Sequence, residues 1–181
     1  VLDGNLVIRG SGDPKLVLER LWLLLRRVRL AGVREIRGDI VLDRGAFSDT
    51  LQAPADFDGE PLRPYNAQPD ALLLNYKSVL LTFTPDTSRG VASVVSDPPL
   101  TGLRVDASVP LAAGACDNWR AALKADASDP ARIRFQGSYP AACGETQWPQ
   151  AYADPKSYNA RLIEASWRES GGLLSGTVRD G

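Results

Sequence analysis

The same local design stands at both ends of the chain and brackets everything between. Near the start, the β-branched run NLVIRG (5–10) is followed by Asp13-Pro14, a helical pattern and Gly32. An acid before a proline at a first helical position, with a glycine after the last turn, marks the start and stop of a helix. The spacing therefore predicts a strand, a helix capped by Asp13 and closed by Gly32, and a second strand in IRGDIVLD (36–43). Near the end, ADPKSYNARLIEASWRESGG repeats the plan with Pro155 and Gly171, and LLSGTVRD (173–180) matches EIRGDIVLD in its glycine placement. Leu16, Leu18, Leu21, Trp22, Leu25 and Val28 make a broad apolar stripe on the first helix, and Leu162, Ile163 and Trp167 one on the second. Both Trp22 and Trp167 are expected in the core. Two such units, far apart in sequence, predict one discontinuous α/β lobe over residues 1–70 and 140–181.

The middle has a different period. LLLNYKSVLLTFTPD, GVASVVSDPP, GLRVDASVPL and ARIRFQGSYP are short β-rich runs divided by Pro, Gly, Asp and Ser. They predict a small antiparallel sandwich or barrel, nested within the α/β lobe as residues 71–139, and hence an α+β chain overall. Between the two lies QAPADFDGEPLRPYNAQPD (52–70), proline-rich, acidic and too long for a plain turn. Long ordered loops of this kind carry function out of proportion to their length.

Charge and composition narrow the function. Twenty-one Lys and Arg balance 22 Asp and Glu with no run of one sign, which argues against nucleic acid or a polybasic membrane patch. The most apolar stretch, LWLLL (21–25), is stopped by Arg26 and Arg27, so no transmembrane segment is expected. There is no His, which removes the commonest general base and metal ligand. Catalysis would have to run on carboxylates, lysines or a hydroxyl nucleophile. There is no Met either, and the chain opens directly on strand-like sequence, as if cut from a longer protein. Cys116 and Cys143 cannot make a zinc site without further ligands. A reactive thiol would lack a base partner, and a disulfide at the edge of the β-rich lobe is the expectation. Such a bridge places the protein outside the cytosol. Trp119 and Trp148, close to the cysteines, are expected to pack around the bridge. Asp3, Asp39 and Asp43 flank strands and fit turn or cap roles rather than a metal cluster. No metal or cofactor is expected.

RGSGDPKL (9–16) has the look of a phosphate cradle, since anions bind free N–H groups at helix N-termini. Asp13 would fill that position with its own carboxylate. Neither G-x-x-x-x-G-K-[ST] nor G-x-G-x-x-G occurs. The stretch is a structural corner.

VLDGNLVIRGSGDPKL, AGVREIRGDIVLDRGAF, PYNAQPDALLLNYKSV and the last helix with LLSGTV together resemble the insertion of the class C low-molecular-mass penicillin-binding proteins. These are the D-alanyl-D-alanine carboxypeptidase/endopeptidases of the penicillin-binding protein 4 type. The resemblance implies a nested pair of lobes interrupting a periplasmic serine-peptidase domain. It implies acyl transfer from the D-Ala-D-Ala bond of peptidoglycan by a serine assisted by a lysine. Partners would then be the stem peptide and the parent's own peptidase domain.

That chemistry needs S-x-x-K, S-x-N and K-T-G. Neither the first nor the last occurs here, and S-x-N occurs once, as Ser157-Tyr158-Asn159 in the first turn of the second helix. In the family this motif follows the insertion, so Ser157 and Asn159 are expected to be structural and the chain inert toward D-Ala-D-Ala and penicillin by itself. What the resemblance leaves to this chain is the linker, where an acid and an aromatic ring reach the rim of the active site and receive the free-amine end of the diaminopimelate side chain. Placing the linker on Asp43, Phe47, Pro54 and PYNAQPDAL puts Tyr65 at the aromatic position and Glu60 at the acidic one, with Asp58 the acid if the loop shifts by two. A carboxylate suits an ammonium, and a tyrosine face adds an apolar, cation-attracting wall. Two other classes stay open: an autonomous extracytoplasmic module binding peptide or glycan, and a nucleotide-binding α/β domain resting on RGSGDP alone.

Overall fold

The computed structural model describes residues 1–48, 56, 58–60 and 62–181. The first unit runs β1 (Leu6–Arg9), α1 (Leu18–Leu30), β2 (Glu35–Ile36) and β3 (Ile40–Asp43). The β-rich middle follows: β4 (Ser78–Asp86), β5 (Val91–Asp97), β6 (Arg104–Val105), β7 (Ser108–Ala112), α2 (Trp119–Leu123), β8 (Ala125–Asp126), β9 (Arg132–Phe135), β10 (Tyr139–Pro140) and β11 (Thr146–Ala151). The last unit is α3 (Pro155–Glu169), β12 (Leu173–Leu174) and β13 (Val178–Asp180).

Strands of the two terminal units share a sheet. β3 lies between β1 and β13 in a parallel sheet, with Leu6 and Val178 both opposite Ile40. β2 and β12 pair in parallel beside it. Each of EIRGDIVLD and LLSGTVRD is broken at its glycine into two short strands rather than running as one. Ile40 and Leu42 are buried, whereas Val7 is 58% exposed on the opposite face, so the sheet is covered on one side. Parallel sheets are ordinarily covered on both.

Both helices end alike. Gly32 and Gly171 adopt φ of +95° and +79°, where a side chain is strained. Gly32 N–H donates to Arg29 and Val33 N–H to Val28, while Gly171 N–H donates to Arg168 and Gly172 N–H to Trp167. This is the paired Schellman closure, and it turns the chain into β2 and β12. The starts differ. Asp154 and Pro155 open α3 as expected, but α1 begins at Leu18, not after Asp13. The Leu16 carbonyl accepts the Asn75 N–H at 3.0 Å, Val17 after it is extended, and the helix starts a turn late. Asp13 instead accepts the Lys15 N–H at 2.8 Å.

Trp167 is fully buried, but Trp22 is 54% exposed, contrary to expectation. Leu21 and Leu25 point inward with Leu18 and Val28 beside them; Trp22 lies about 100° further round the helix, on a flank that the described residues leave half exposed.

In the middle, β4 alternates Val79, Leu81 and Phe83 into the core and pairs antiparallel with β5 and β11. The five-stranded order is β10-β7-β5-β4-β11. The sheet is mixed rather than wholly antiparallel, since β10 runs parallel to β7, as β6 does to β9 in the three-stranded β6-β9-β8 sheet. Phe83, Trp119, Tyr139 and Trp148 form an aromatic stack, with Phe83 and Tyr139 stacked at 5.4 Å and Trp119 edge-on to Trp148 at 5.6 Å. Cys116 and Cys143 are bonded, and Cys143 packs against this core. One cluster of buried side chains runs from Leu21 and Trp167 through Leu72 and Leu74 to Phe83 and Ile133.

Candidate functional site

In the RGSGDPKL corner the amides of Gly10, Gly12 and Lys15 are already hydrogen-bonded within the chain. Gly10 N–H donates to the Asp43 carbonyl at 2.9 Å and Gly12 N–H to Ala71 at 2.8 Å. A Cβ on Gly10 would sit 2.3 Å from the Ala71 oxygen, so the glycine permits two backbones to touch.

Ser157 and Asn159 are likewise bonded into the fold. The Ser157 hydroxyl accepts the Arg161 Nε–H at 3.0 Å, and the buried Asn159 amide donates to the Leu72 carbonyl at 2.7 Å. Between them the Tyr158 hydroxyl donates to Ser78 at 2.7 Å. Tyr158 and Asn159 thus tie α3 to the start of the β-rich region, while Ser157 bonds within the helix and its cap. The acids flanking strands make ties as well: Asp3 pairs with Arg37, Asp39 accepts the Thr177 N–H and pairs with Arg179, and Asp43 accepts the Gly45 N–H. Among the described residues no group of His, Cys, Asp and Glu has the arrangement of a metal site.

The linker builds a compact lip. Pro54, one of the residues that places it in register, lies outside the described residues. Pro64–Asn66 form a single 3-10 turn, started by a proline whose fixed φ suits that position. The Leu62 carbonyl accepts the Ala151 N–H at 2.8 Å, which fastens the turn to the end of β11. On it, Tyr65 is 66% exposed and its hydroxyl donates to Asp58 Oδ2 at 2.7 Å. Asp58 Oδ1 accepts the Asn66 side-chain amide at 2.7 Å and the Glu60 N–H at 2.9 Å. The lip thus brings Tyr65 and Asp58 together. Glu60 is adjacent, but its carboxylate is paired with Arg63.

This wiring gives the two acids different electrostatics. The Tyr65 hydroxyl, then the Glu60 N–H and the Asn66 amide, hold the Asp58 carboxyl below its ordinary value of 3.8. All three donors are neutral, and the nearby Arg63 charge adds a smaller pull in the same direction. The same hydrogen bond raises the Tyr65 hydroxyl, keeping it a neutral donor. Glu60 spends its charge on Arg63, whose own pKa it raises. Asn66 and Arg63 were not singled out from sequence; the turn-forming Pro-Tyr-Asn was their only local signal. Trp148 and Arg120 also line open hollows beside Tyr65 and Arg63, with the Arg120 guanidinium 5.9 Å from the Trp148 ring.

Behind the lip, Asp70 anchors the linker's far end. Its buried carboxylate takes Lys77 Nζ at 2.6 Å and Arg44 at 3.0 Å, and Arg44 reaches on to Asp180 of β13 at 3.0 Å. Burial pushes Asp70 up, but Lys77, the Leu72 N–H and Arg44 outweigh it and hold the carboxyl below 3.8. Lys77 closes a left-handed turn in which Asn75, Tyr76 and Lys77 all have positive φ.

Comparison with known proteins extends over the whole chain. The profile of the family described as "D-Ala-D-Ala carboxypeptidase 3 (S13)" matches residues 1–181. The D-alanyl-D-alanine carboxypeptidase DacB of Haemophilus influenzae is 47% identical over 47 residues, which are 26% of this chain and 10% of that protein. The crystal structure of penicillin binding protein 4 (dacB) from Haemophilus influenzae superposes with a TM-score of 0.70 at 20% identity, covering 98% of this chain and 39% of that one. The same protein complexed with a β-lactam gives 0.55 at 18% identity, covering 98% and 36%. The chain thus spans under two-fifths of the solved relative, and at these identities the superposition speaks for the fold.

Proposed function

We propose, from the premise that this chain belongs to the D-Ala-D-Ala carboxypeptidase 3 (S13) family, that it is the non-catalytic insertion of a periplasmic serine carboxypeptidase/endopeptidase acting on peptidoglycan. One observation carries this. The family match covers all 181 residues, yet neither S-x-x-K nor K-T-G occurs in them, and the lone S-x-N is tied into the packing of α3. The nucleophile and its lysine therefore belong to the parent's peptidase domain. The division into an α/β lobe and a nested β-rich lobe, and the place of both outside the cytosol, are part of the same proposal; the Cys116–Cys143 bridge favours an oxidising compartment.

The lip is the part of this chain that meets substrate. Tyr65 supplies an exposed ring and Asp58 a carboxylate that, among the described residues, makes no ion pair, and together they suit the ammonium of a stem-peptide side chain. Glu60, five residues before Tyr65, is the neighbouring acid, and with its charge shared with Arg63 its role is to brace the turn.

The non-catalytic half is tested by incubating residues 1–181 with penicillin and weighing the protein. The expected mass is that of the unmodified chain, and a stable covalent adduct would overturn the proposal.

A further inference from the structure

Helix α1 leaves one flank bare. Trp22, Leu23 and Leu30 are 54%, 46% and 70% exposed, far more than a helix of this length shows in a finished core. They separate two open hollows that share Trp22. The larger, about 550 Å³, lies toward the start of α1 and is edged by Glu19, Asp97 and Glu169. The smaller, about 360 Å³, lies toward its end and is edged by Arg26, Arg29 and Arg34. Among the described residues, none of these six charges makes an ion pair within the chain. Arg26 and Arg29 instead lie over the Trp22 and Trp167 rings, at 6.0 and 5.9 Å.

The order of charge along this flank selects its occupant. An anionic membrane would attract the arginines and the exposed tryptophan, but the three carboxylates on the same face would oppose it. A surface that is acidic at one end, apolar in the middle and basic at the other is complementary to itself turned end for end. A two-fold axis through the Trp22–Leu23 step would set each acidic hollow against the partner copy's arginines and bury the apolar centre. Such an isologous contact repeats every pairing twice.

We propose that the α1 flank is a homodimer interface, formed by two copies of this chain with their α1 helices antiparallel. Glu19 of one copy faces Arg26 of the other across a core of Trp22 and Leu23. A contact built on one helix flank falls short of the roughly 800 Å² per partner of a standard interface, so the expected dissociation constant is on the order of 10 μM.

Sedimentation velocity of the full chain over a concentration series tests this. Wild type should pass from monomer to dimer, and Trp22→Ser, Glu19→Arg and Arg26→Glu should each weaken association by about tenfold or more. The combined Glu19→Arg/Arg26→Glu variant should regain the dimer, because each swapped charge again meets its opposite; a merely damaged fold would not recover. Four outcomes would overturn the proposal. The first is a chain that stays monomeric to roughly 100 μM, well above the expected constant. The second is a double variant that fails to dimerise though its circular dichroism is native. The third is capture of monomer by phosphatidylglycerol vesicles, strengthened by Glu19→Arg. Protection of Trp22 from hydroxyl-radical labelling in the monomer would mark the flank as covered within one chain and also exclude the dimer.

Discussion

Asp70 shows how one residue can matter through what it holds rather than what it touches. It is the common partner of Lys77 and Arg44, and through Arg44 it connects the end of the linker to β13. Removing one member of a buried ion pair leaves the others uncompensated, at a cost of about 3–5 kcal/mol. Asp70→Asn should lower the unfolding free energy by about that amount, read from the urea midpoint. The sign with pH follows from its depressed pKa. The carboxylate stabilises the fold above its unfolded value near 3.9, and that contribution is lost as pH falls through the lower folded value. Wild type should therefore lose stability below about pH 4, and Asp70→Asn should lose less over the same range. None of this was legible in the sequence, where Asp70 is the last residue of the proline-rich linker and Lys77 one residue within a β-rich run. Local periodicity says nothing of a partner in a distant segment.

At the scale of elements, both helix ends were legible and one helix start was not. Gly32 and Gly171 are punctuation that acts within a turn of itself, so the sequence carries it whole. The Asn75 N–H that bonds the Leu16 carbonyl just before α1 comes from some sixty residues away. The apolar stripe on α1 was over-read for a related reason: periodicity gives the width of a stripe but not how much of it another element covers, and Trp22 falls on the uncovered side. Gly172 is the sharper dependence. A Cβ there would lie 2.2 Å from the Trp167 ring, whose indole N–H donates to the Leu173 carbonyl at 3.0 Å. Gly172→Ala should displace the indole and destabilise the fold by about 2–4 kcal/mol, measured by denaturant unfolding and accompanied by a red shift of tryptophan emission. An unshifted midpoint would mean that the α3–β12 corner yields where it is here packed tight.

At the scale of the molecule, the likeness of the two chain ends was legible, because both carry the same strand-and-helix plan, and their strands β1, β3 and β13 share one sheet. The mixed sheets were beyond reach. Whether β10 lies parallel or antiparallel to β7 depends on how residues 113–138 cross over, and short strands carry no signal for that. The Cys116–Cys143 bridge spans this crossover at a separation of 27 residues and restrains it when unfolded. Chain-entropy arithmetic assigns it about 3–4 kcal/mol. Reduction should shift the urea midpoint down by roughly 1–2 M, with little change if the crossover stays ordered when unfolded.

The lip was legible only through family resemblance, which supplied an acid and a ring but not the register. Within the proposed role, the turn favours Asp58 over Glu60, since among the described residues the Glu60 carboxylate is paired with Arg63 while the Asp58 carboxylate is held by neutral donors. The most direct test compares kcat/KM of the full-length peptidase on a stem peptide with a free side-chain amine and on its N-acetylated form. The account predicts a preference for the free amine that Asp58→Asn cuts by about tenfold, the worth of one charge-assisted hydrogen bond, and that Glu60→Gln leaves nearly intact. A preference that survives Asp58→Asn, or that disappears with Glu60→Gln instead, would contradict it.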